Sequence, residues 1–253
     1  MSGSAPFEEL VVEGASVPVE GWDFSWFEGR ATEERPSWGY SKMMAGRMAD
    51  ASAALDIQTG GGEVLAEVSH LPRLVSATES WPPNLAVAAE HLRPRGAWVL
   101  AVADDGDLPF VAASFDLVVS RHPTVTRWDE VARVLAPGGT YLAQHVGAGT
   151  VRELTDFMMG PQPVNPARTT ERAVAGAEAA GLVVVDLRAE SLPVVFYDIA
   201  AVLHFLRKVI WIVPGFTVGG YRQRLAELHQ RIVNEGSFVA HSQRFLIEAR
   251  HPS

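Results

Sequence analysis

The stretch that most constrains this chain is Leu55-Asp56-Ile57-Gln58-Thr59-Gly60-Gly61-Gly62-Glu63. Apolar Leu55 and Ile57 lead into three consecutive glycines, and residues 64–68 resume with helix-like apolar spacing. That order predicts a strand ending in a tight turn that opens a helix. Glycine suits such a turn because it takes positive φ at little cost and lets a ligand lie directly on the backbone. The first N–H groups of the following helix face the same side. Two phosphate-binding patterns fail here. The dinucleotide fingerprint needs its third glycine where Leu65 stands, and the P-loop needs a Gly-Lys-Ser or Gly-Lys-Thr ending that is absent.

A chain of 253 residues has room for one α/β domain with insertions or for two small domains. With 47% hydrophobic and 20% charged residues, it should bury a sizeable core. The formal charge is −9 and no dense Lys/Arg cluster occurs, which argues against a nucleic-acid partner, because that affinity rests on neutralising phosphates. Having no cysteine, the chain lacks disulfides and thiolate chemistry, and no metal site is expected. The first residues, Met1-Ser2-Gly3-Ser4-Ala5-Pro6, do not read as a signal peptide. The longest apolar stretch, residues 194–213, is broken by Tyr197, Asp198, His204, Arg207 and Lys208, so no membrane span is expected. A cytoplasmic location follows as the expectation.

Residues 1–20 read as a weakly structured lead-in. The aromatic run that follows, with Trp22, Phe24 and Trp26, predicts either a hydrophobic clamp or a lid that excludes water and faces a cationic group. Trp38-Gly39-Tyr40 precedes a helix over 41–51. After the glycine turn, residues 65–70 finish the first helix, and residues 73–79 form a second strand ending in Glu79. An acid at that strand end reaches the ribose hydroxyls of a nucleoside lying across the first turn. A helix over 84–92 and a third strand over 98–102 lead to Asp104-Asp105-Gly106-Asp107-Leu108-Pro109-Phe110. The apolar run 114–120 fits a buried parallel strand and delivers Ser120-Arg121-His122 to the ligand edge. Beyond it lie a helix over 128–135, a Pro137-Gly138-Gly139 stop, a strand over 141–146 ending at His145, a helix over 169–180 and a strand over 183–187. Residues 191–236 form a long helical insertion with a second helix at 221–233, and a last strand spans 245–250.

Four of these motifs together resemble class I S-adenosylmethionine-dependent methyltransferases, in particular the type 11-like small-molecule group. Asp56, Gly60 and Gly62 match the acid and two glycines of the first motif, with Gln58 in place of its first glycine. Glu79 matches the acid of the second. Asp104 with Leu108-Pro109-Phe110 matches the third, and Glu130-Val131-Ala132-Arg133-Val134-Leu135-Ala136-Pro137-Gly138-Gly139 matches the post-core motif. The resemblance implies a Rossmann-like, doubly wound sheet of seven strands, mostly parallel with an antiparallel last strand beside the fifth, plus a helical cap. It divides the chain into an aromatic lid at 1–40, a cofactor-binding core at 41–190, a cap at 191–236 and a final strand at 237–253.

The implied cofactor is S-adenosylmethionine, held by Asp56, Gln58, Gly60, Gly62, Glu79, Asp104, Asp105 and Ser120. Methyl transfer to a small-molecule acceptor is the leading expectation. Trp22, Phe24, Trp26, Tyr197, His204 and Trp211 are the candidate acceptor pocket, and His122 and His145 are the candidate general bases. An RNA or protein methyltransferase fits the acidic charge less well. The glutamine at position 58 keeps open a protein that binds the cofactor without conventional methyl transfer.

Overall fold

Eight strands pair into one sheet among the described residues of this computed structural model, which cover 6–19 and 24–253. They are β1 (Ala31–Glu33), β2 (Ala53–Asp56), β3 (Leu74–Glu79), β4 (Trp98–Ala101), β5 (Phe115–Arg121), β6 (Leu135–Val146), β7 (Val183–Phe196) and β8 (Phe238–Arg250), in the order β1-β7-β8-β6-β5-β2-β3-β4. The helices are α1 (Phe7–Ser16), α2 (Tyr40–Asp50), α3 (Glu63–Ala66), α4 (Pro82–Leu92), α5 (Trp128–Val134), α6 (Arg152–Met159), α7 (Thr170–Ala179), α8 (Ile199–Lys208) and α9 (Arg222–Glu235). None of them is long and apolar enough to cross a membrane. The chain divides into two units, residues 36–148, 166–190 and 244–253 on one side and residues 1–35, 149–165 and 191–243 on the other.

In the first unit β4, β3, β2, β5 and β6 run parallel. The chain builds outward from β2 to β3 and β4, then returns to place β5 on the other side of β2. That reversal between β2 and β5 opens a crevice at the C-terminal ends of the strands, the place where open α/β sheets take ligands. Alternation along the strands fills both faces. Ala54, Leu117, Val119, Leu142 and Leu246 pack with Met44, Met48, Ala88 and Leu92 on one side. Leu55, Val118, Tyr141, Ala143 and Phe245 pack with Val131, Val134, Ala173 and Ala177 on the other. The antiparallel strand beside the fifth is present: β8 pairs with β6 from Thr140↔Arg250 to Val146↔Arg244.

In the second unit a helical core collects α1, α6, α8 and α9, and eight of the ten residues of α8 are buried. α1 crosses α8 where Gly14 meets Ala200, so closely that a Cβ on Gly14 would lie 2.6 Å from the Ala200 carbonyl oxygen. Asp198 caps α8 by accepting the Ala201 N–H at 2.8 Å. Arg207 closes α1 by donating to the carbonyls of Gly14 and Val17 at 2.9 and 2.8 Å.

Several expectations are corrected. The sheet has eight strands, because the three-residue β1 adds antiparallel to the far end of β7, from Ala31↔Phe196 to Glu33↔Val194. The lead-in is helical over α1, since Leu10, Val11 and Gly14 give it an apolar stripe to bury. The helix after the glycine turn stops at Ala66. The Arg95 guanidinium donates to the Ala66 and Val68 carbonyls there, supplying partners for carbonyls at and just beyond the helix end. The strand expected at 141–146 begins at Leu135. Its register breaks between the Phe115↔Leu135 and Leu117↔Thr140 pairs, so residues 136–139 form a bulge rather than a loop. Gly138 turns there at φ 78°. The strand expected at 183–187 continues to Phe196, and the last strand starts at Phe238.

Candidate functional site

The crevice is built from the loops after β2, β3, β4 and β5. Gln58 and Gly60 have φ of 57° and 65°, and Gly62 turns at 77° to start α3. A Cβ on Gly60 would meet no atom within 4 Å, so open space lies above the turn, whereas one on Gly62 would press on Leu92 at 3.0 Å. The two glycines therefore serve differently: one leaves room for a ligand, the other for α4.

Glu79 ties this turn to the end of β3. Its Oε2 accepts the Gly60 N–H at 2.9 Å, and its Oε1 accepts the N–H groups of Ser80 and Trp81 at 3.0 and 2.8 Å. Burial raises its pKa, the three N–H groups oppose that, and the charge of Asp104 adds to the rise. Asp56 is buried and its pKa is pushed up to about 7, first by burial. The Thr59 hydroxyl, donating to Oδ2 at 2.6 Å, pulls it down, and the Glu79 charge pushes it up.

Asp104 is reached from β5. Thr124 donates its hydroxyl to Asp104 Oδ2 at 2.5 Å and its backbone N–H to Gln58 Oε1 at 2.6 Å. Gln58 Nε2 donates to the Val125 carbonyl at 2.7 Å. A polar latch thus joins the ends of β2, β4 and β5. Gln58 keeps the left-handed backbone that a glycine would supply and sends its amide to the 124–125 loop. Asp105 is exposed and offers its backbone carbonyl to Arg127. Ser120 donates to the Ile57 carbonyl at 2.7 Å and accepts the Tyr40 hydroxyl on its own carbonyl at 2.9 Å.

The post-core motif has a physical job. Glu130 accepts the Leu108 N–H at 2.6 Å, and Arg133 donates to the carbonyls of Phe110 and Leu108 at 2.7 and 2.8 Å while pairing with Glu130. α5 therefore clasps the Leu108-Pro109-Phe110 turn and fixes one wall of the crevice. The space between these loops has Ile57, Val102 and Leu108 as apolar walls and is also lined by Asp104.

The two histidines that are candidate general bases point to opposite faces of the sheet. His122, half-buried with φ 60°, donates its backbone N–H to the Gln144 carbonyl at 2.6 Å, and its Nε2 sits 2.8 Å from Gln144 Nε2. Burial first, then Arg121, Arg244, His145 and Arg168, hold its pKa well below the usual range. His145, next along β6, points to the other face and stacks on Phe245 at 4.5 Å. Its Nε2 has no hydrogen-bond partner, and burial lowers its pKa to about 3.

The aromatic candidates belong to the second unit, apart from Trp22, which lies outside the described residues. His204 is buried against Trp26 in an edge contact and stacked on Phe27, with both ring centroids 5.0 Å away. Phe24 stacks on Phe27 at 5.8 Å. Tyr197 and Trp211 are exposed. Phe24, Trp26 and His204 thus pack in one cluster around Phe27. Residues not foreseen from sequence are Thr124, Gln144, Trp38 and Tyr40. A lone glutamine inside an apolar strand was the available signal for Gln144.

The geometry agrees with known proteins. Residues 55–143 match the profile of a family described as a methyltransferase domain. A search of curated protein sequences finds no significant match. Among solved structures, the chain is similar to the YcgJ protein of Bacillus subtilis, with TM-score 0.60, 18% identity, and coverage of 85% of this chain and 98% of that one. It is also similar to the 4+2 cyclase SpnF, with TM-score 0.53, 17% identity and coverage of 97% and 93%. A third is phosphoethanolamine N-methyltransferase 2 of Haemonchus contortus, in complex with phosphomonomethylethanolamine and S-adenosylhomocysteine, with TM-score 0.51, 17% identity and coverage of 85% and 53%. At these identities the structures speak for the fold, and the profile match marks a methyltransferase-like segment over residues 55–143. Over those residues the chain is similar to the methyltransferase-domain family, and its fold is the Rossmann-like one of the methyltransferases among these structures.

Proposed function

We propose that the chain transfers the methyl group of S-adenosylmethionine to a small-molecule acceptor. The observation that carries the reading is the open space above Gly60, flanked by the carboxylates of Glu79 and Asp104 at successive strand ends. The residues present fit the cofactor. Glu79 spends three contacts on N–H groups and keeps acceptor capacity for ribose hydroxyls. Ile57, Val102 and Leu108 offer an apolar slot for a flat base, and Asp104 offers an acceptor for an exocyclic amine. When bound, the cofactor supplies an electrophilic methyl group on a sulfonium. The chain's part is positioning and exclusion of water, which account for much of the barrier lowering in such a displacement.

The acidic balance of −9 disfavours a phosphate-backbone acceptor. The likeness to a phosphoethanolamine N-methyltransferase agrees with a small acceptor. A second reading is cofactor binding without methyl transfer. It is favoured by the Thr124 hydroxyl on Asp104 and by the likeness to a cyclase on the same fold.

Calorimetric titration with S-adenosylmethionine and S-adenosylhomocysteine, with NAD as control, tests the cofactor. Micromolar binding of the first two and silence of the third is the expected result, and no binding of either removes both readings. Turnover in a screen of small amines, alcohols and acids then separates the first reading from the second.

A further inference from the structure

His122 is held at two points by one neighbour. Its backbone N–H donates to the Gln144 carbonyl, and its ring meets the Gln144 side chain. The left-handed φ of 60° is costly for a residue with a Cβ, and such strain persists where the surroundings over-determine it. Gln144 is itself fixed from beyond. Its Oε1 accepts the Trp38 indole N–H at 2.8 Å, and an indole nitrogen can only donate. The amide oxygen must therefore face Trp38, which leaves the amide NH₂ facing His122. An NH₂ group donates, so His122 Nε2 must accept, and the ring proton must sit on Nδ1. His122 Nδ1 has no protein partner among the described residues.

We infer that the Trp38–Gln144–His122 chain locks His122 as its neutral Nδ1–H tautomer, making it an N–H donor to a ligand oxygen and not a proton acceptor. Gln144 is then a positioning residue that acts through His122, and Trp38 is what makes its orientation unique. Neither ring nitrogen offers a free lone pair, so a proton taken from an acceptor would have to displace the Gln144 amide. The lock does not depend on the methyl-transfer reading. Only the identity of the oxygen, from the cofactor's carboxylate or from the methyl acceptor, rests on it.

The test reads the tautomer directly, with no ligand present. The full chain carrying ¹⁵N-histidine is examined by long-range ¹H–¹⁵N correlation at neutral pH, with His122 assigned by the loss of its signals in His122→Asn. The expected pattern is a neutral ring protonated at Nδ1. Gln144→Glu presents a carboxylate that accepts from both neighbours, so a proton should appear on Nε2. Trp38→Phe removes the group that orients the amide, and a mixture of tautomers should follow. Unchanged signals from the other histidines show that each variant is folded.

An Nε2–H or charged His122 in the parent protein overturns the proposal, as does an unchanged Nδ1–H pattern in both folded variants. Saturation with S-adenosylhomocysteine, monitored by calorimetry, distinguishes the sources. A shifted Nδ1 resonance assigns the oxygen to the cofactor, and an unshifted one on the loaded protein removes the cofactor as its source. Absence of binding in that arm would fail the cofactor reading while leaving the tautomer result standing.

Discussion

Each unit buries an imidazole that has a ring nitrogen without a partner, His145 in the sheet unit and His204 in the helical unit, but the sheet unit also holds polar groups that are bonded. In the sheet unit, His122 has a partner on its Nε2, and the buried carboxylates Asp56 and Glu79 both accept hydrogen bonds from the glycine turn. In the helical unit, His204 is wrapped by Trp26 and Phe27 and its Nδ1 has no hydrogen-bond partner. Burial and the charges of Lys208 and Arg207 lower its pKa to about 4, so it stays neutral. His229 in α9 likewise has an unpartnered Nδ1. Bonded polar groups at strand ends define directions that a ligand can read. An unbonded imidazole among rings behaves as a flat, mostly apolar filler. Burial alone does not mark a site; the bonds around the buried group do.

Four experiments would break or sharpen this contrast. Glu79→Ala frees the Gly60, Ser80 and Trp81 N–H groups together and should weaken S-adenosylhomocysteine binding about 100-fold, ~3 kcal/mol. Unaltered affinity by calorimetry would mean that the turn holds its shape without the carboxylate. Gln144→Leu strands the Trp38 N–H and His122 Nε2, and urea unfolding should show a loss of about 2–3 kcal/mol. His204→Phe, measured the same way, should change stability by less than about 1 kcal/mol, because no bond is lost. Equal costs for the pair would erase the distinction between the units.

The third concerns pH. The Asp56 carboxyl titrates in the folded state at about 7 instead of its ordinary 3.8, so folding favours the protonated acid. That contribution to stability is complete below the unfolded value and is lost as pH rises through 7. The melting temperature should fall from pH 5 to pH 8, and Asp56→Asn should flatten the decline and be the more stable protein at pH 8. A parallel decline in the variant would assign the effect to other groups. The smallest effect is expected from Thr124→Val, which releases Asp104 Oδ2 and should tighten S-adenosylhomocysteine binding a few-fold, about 1 kcal/mol. Weaker binding would show that Thr124 holds the ligand and not the latch.

Much of the sheet unit was legible because its signals are local. The apolar runs of β2 and β5, the glycine turn and the Pro137-Gly138-Gly139 stop each lie within a few residues. The antiparallel β8 came from the family resemblance, not from any residue pattern. The helical unit was harder to read. α1 has no side-chain cap and a glycine in its buried stripe, and that glycine makes sense only against Ala200. β1 has three residues and exists because β7 offers it an edge. The aromatic run read as either a clamp or a lid in sequence, since residue order cannot tell rings that face a ligand from rings that face one another. The Gln144 bridge was illegible for a different reason: its indole partner is 106 positions away.

The place of β8 has a consequence for how the chain is made. It lies between β7 and β6 in the sheet yet follows both in sequence. Until residues 238–250 have left the ribosome, the inner edges of β6 and β7 have nothing to pair with. Such edges recruit other strands, including those of a neighbouring nascent chain. The growing protein must therefore carry an open seam in its sheet while residues 197–237 are made, and the strand that closes it follows all the others in sequence.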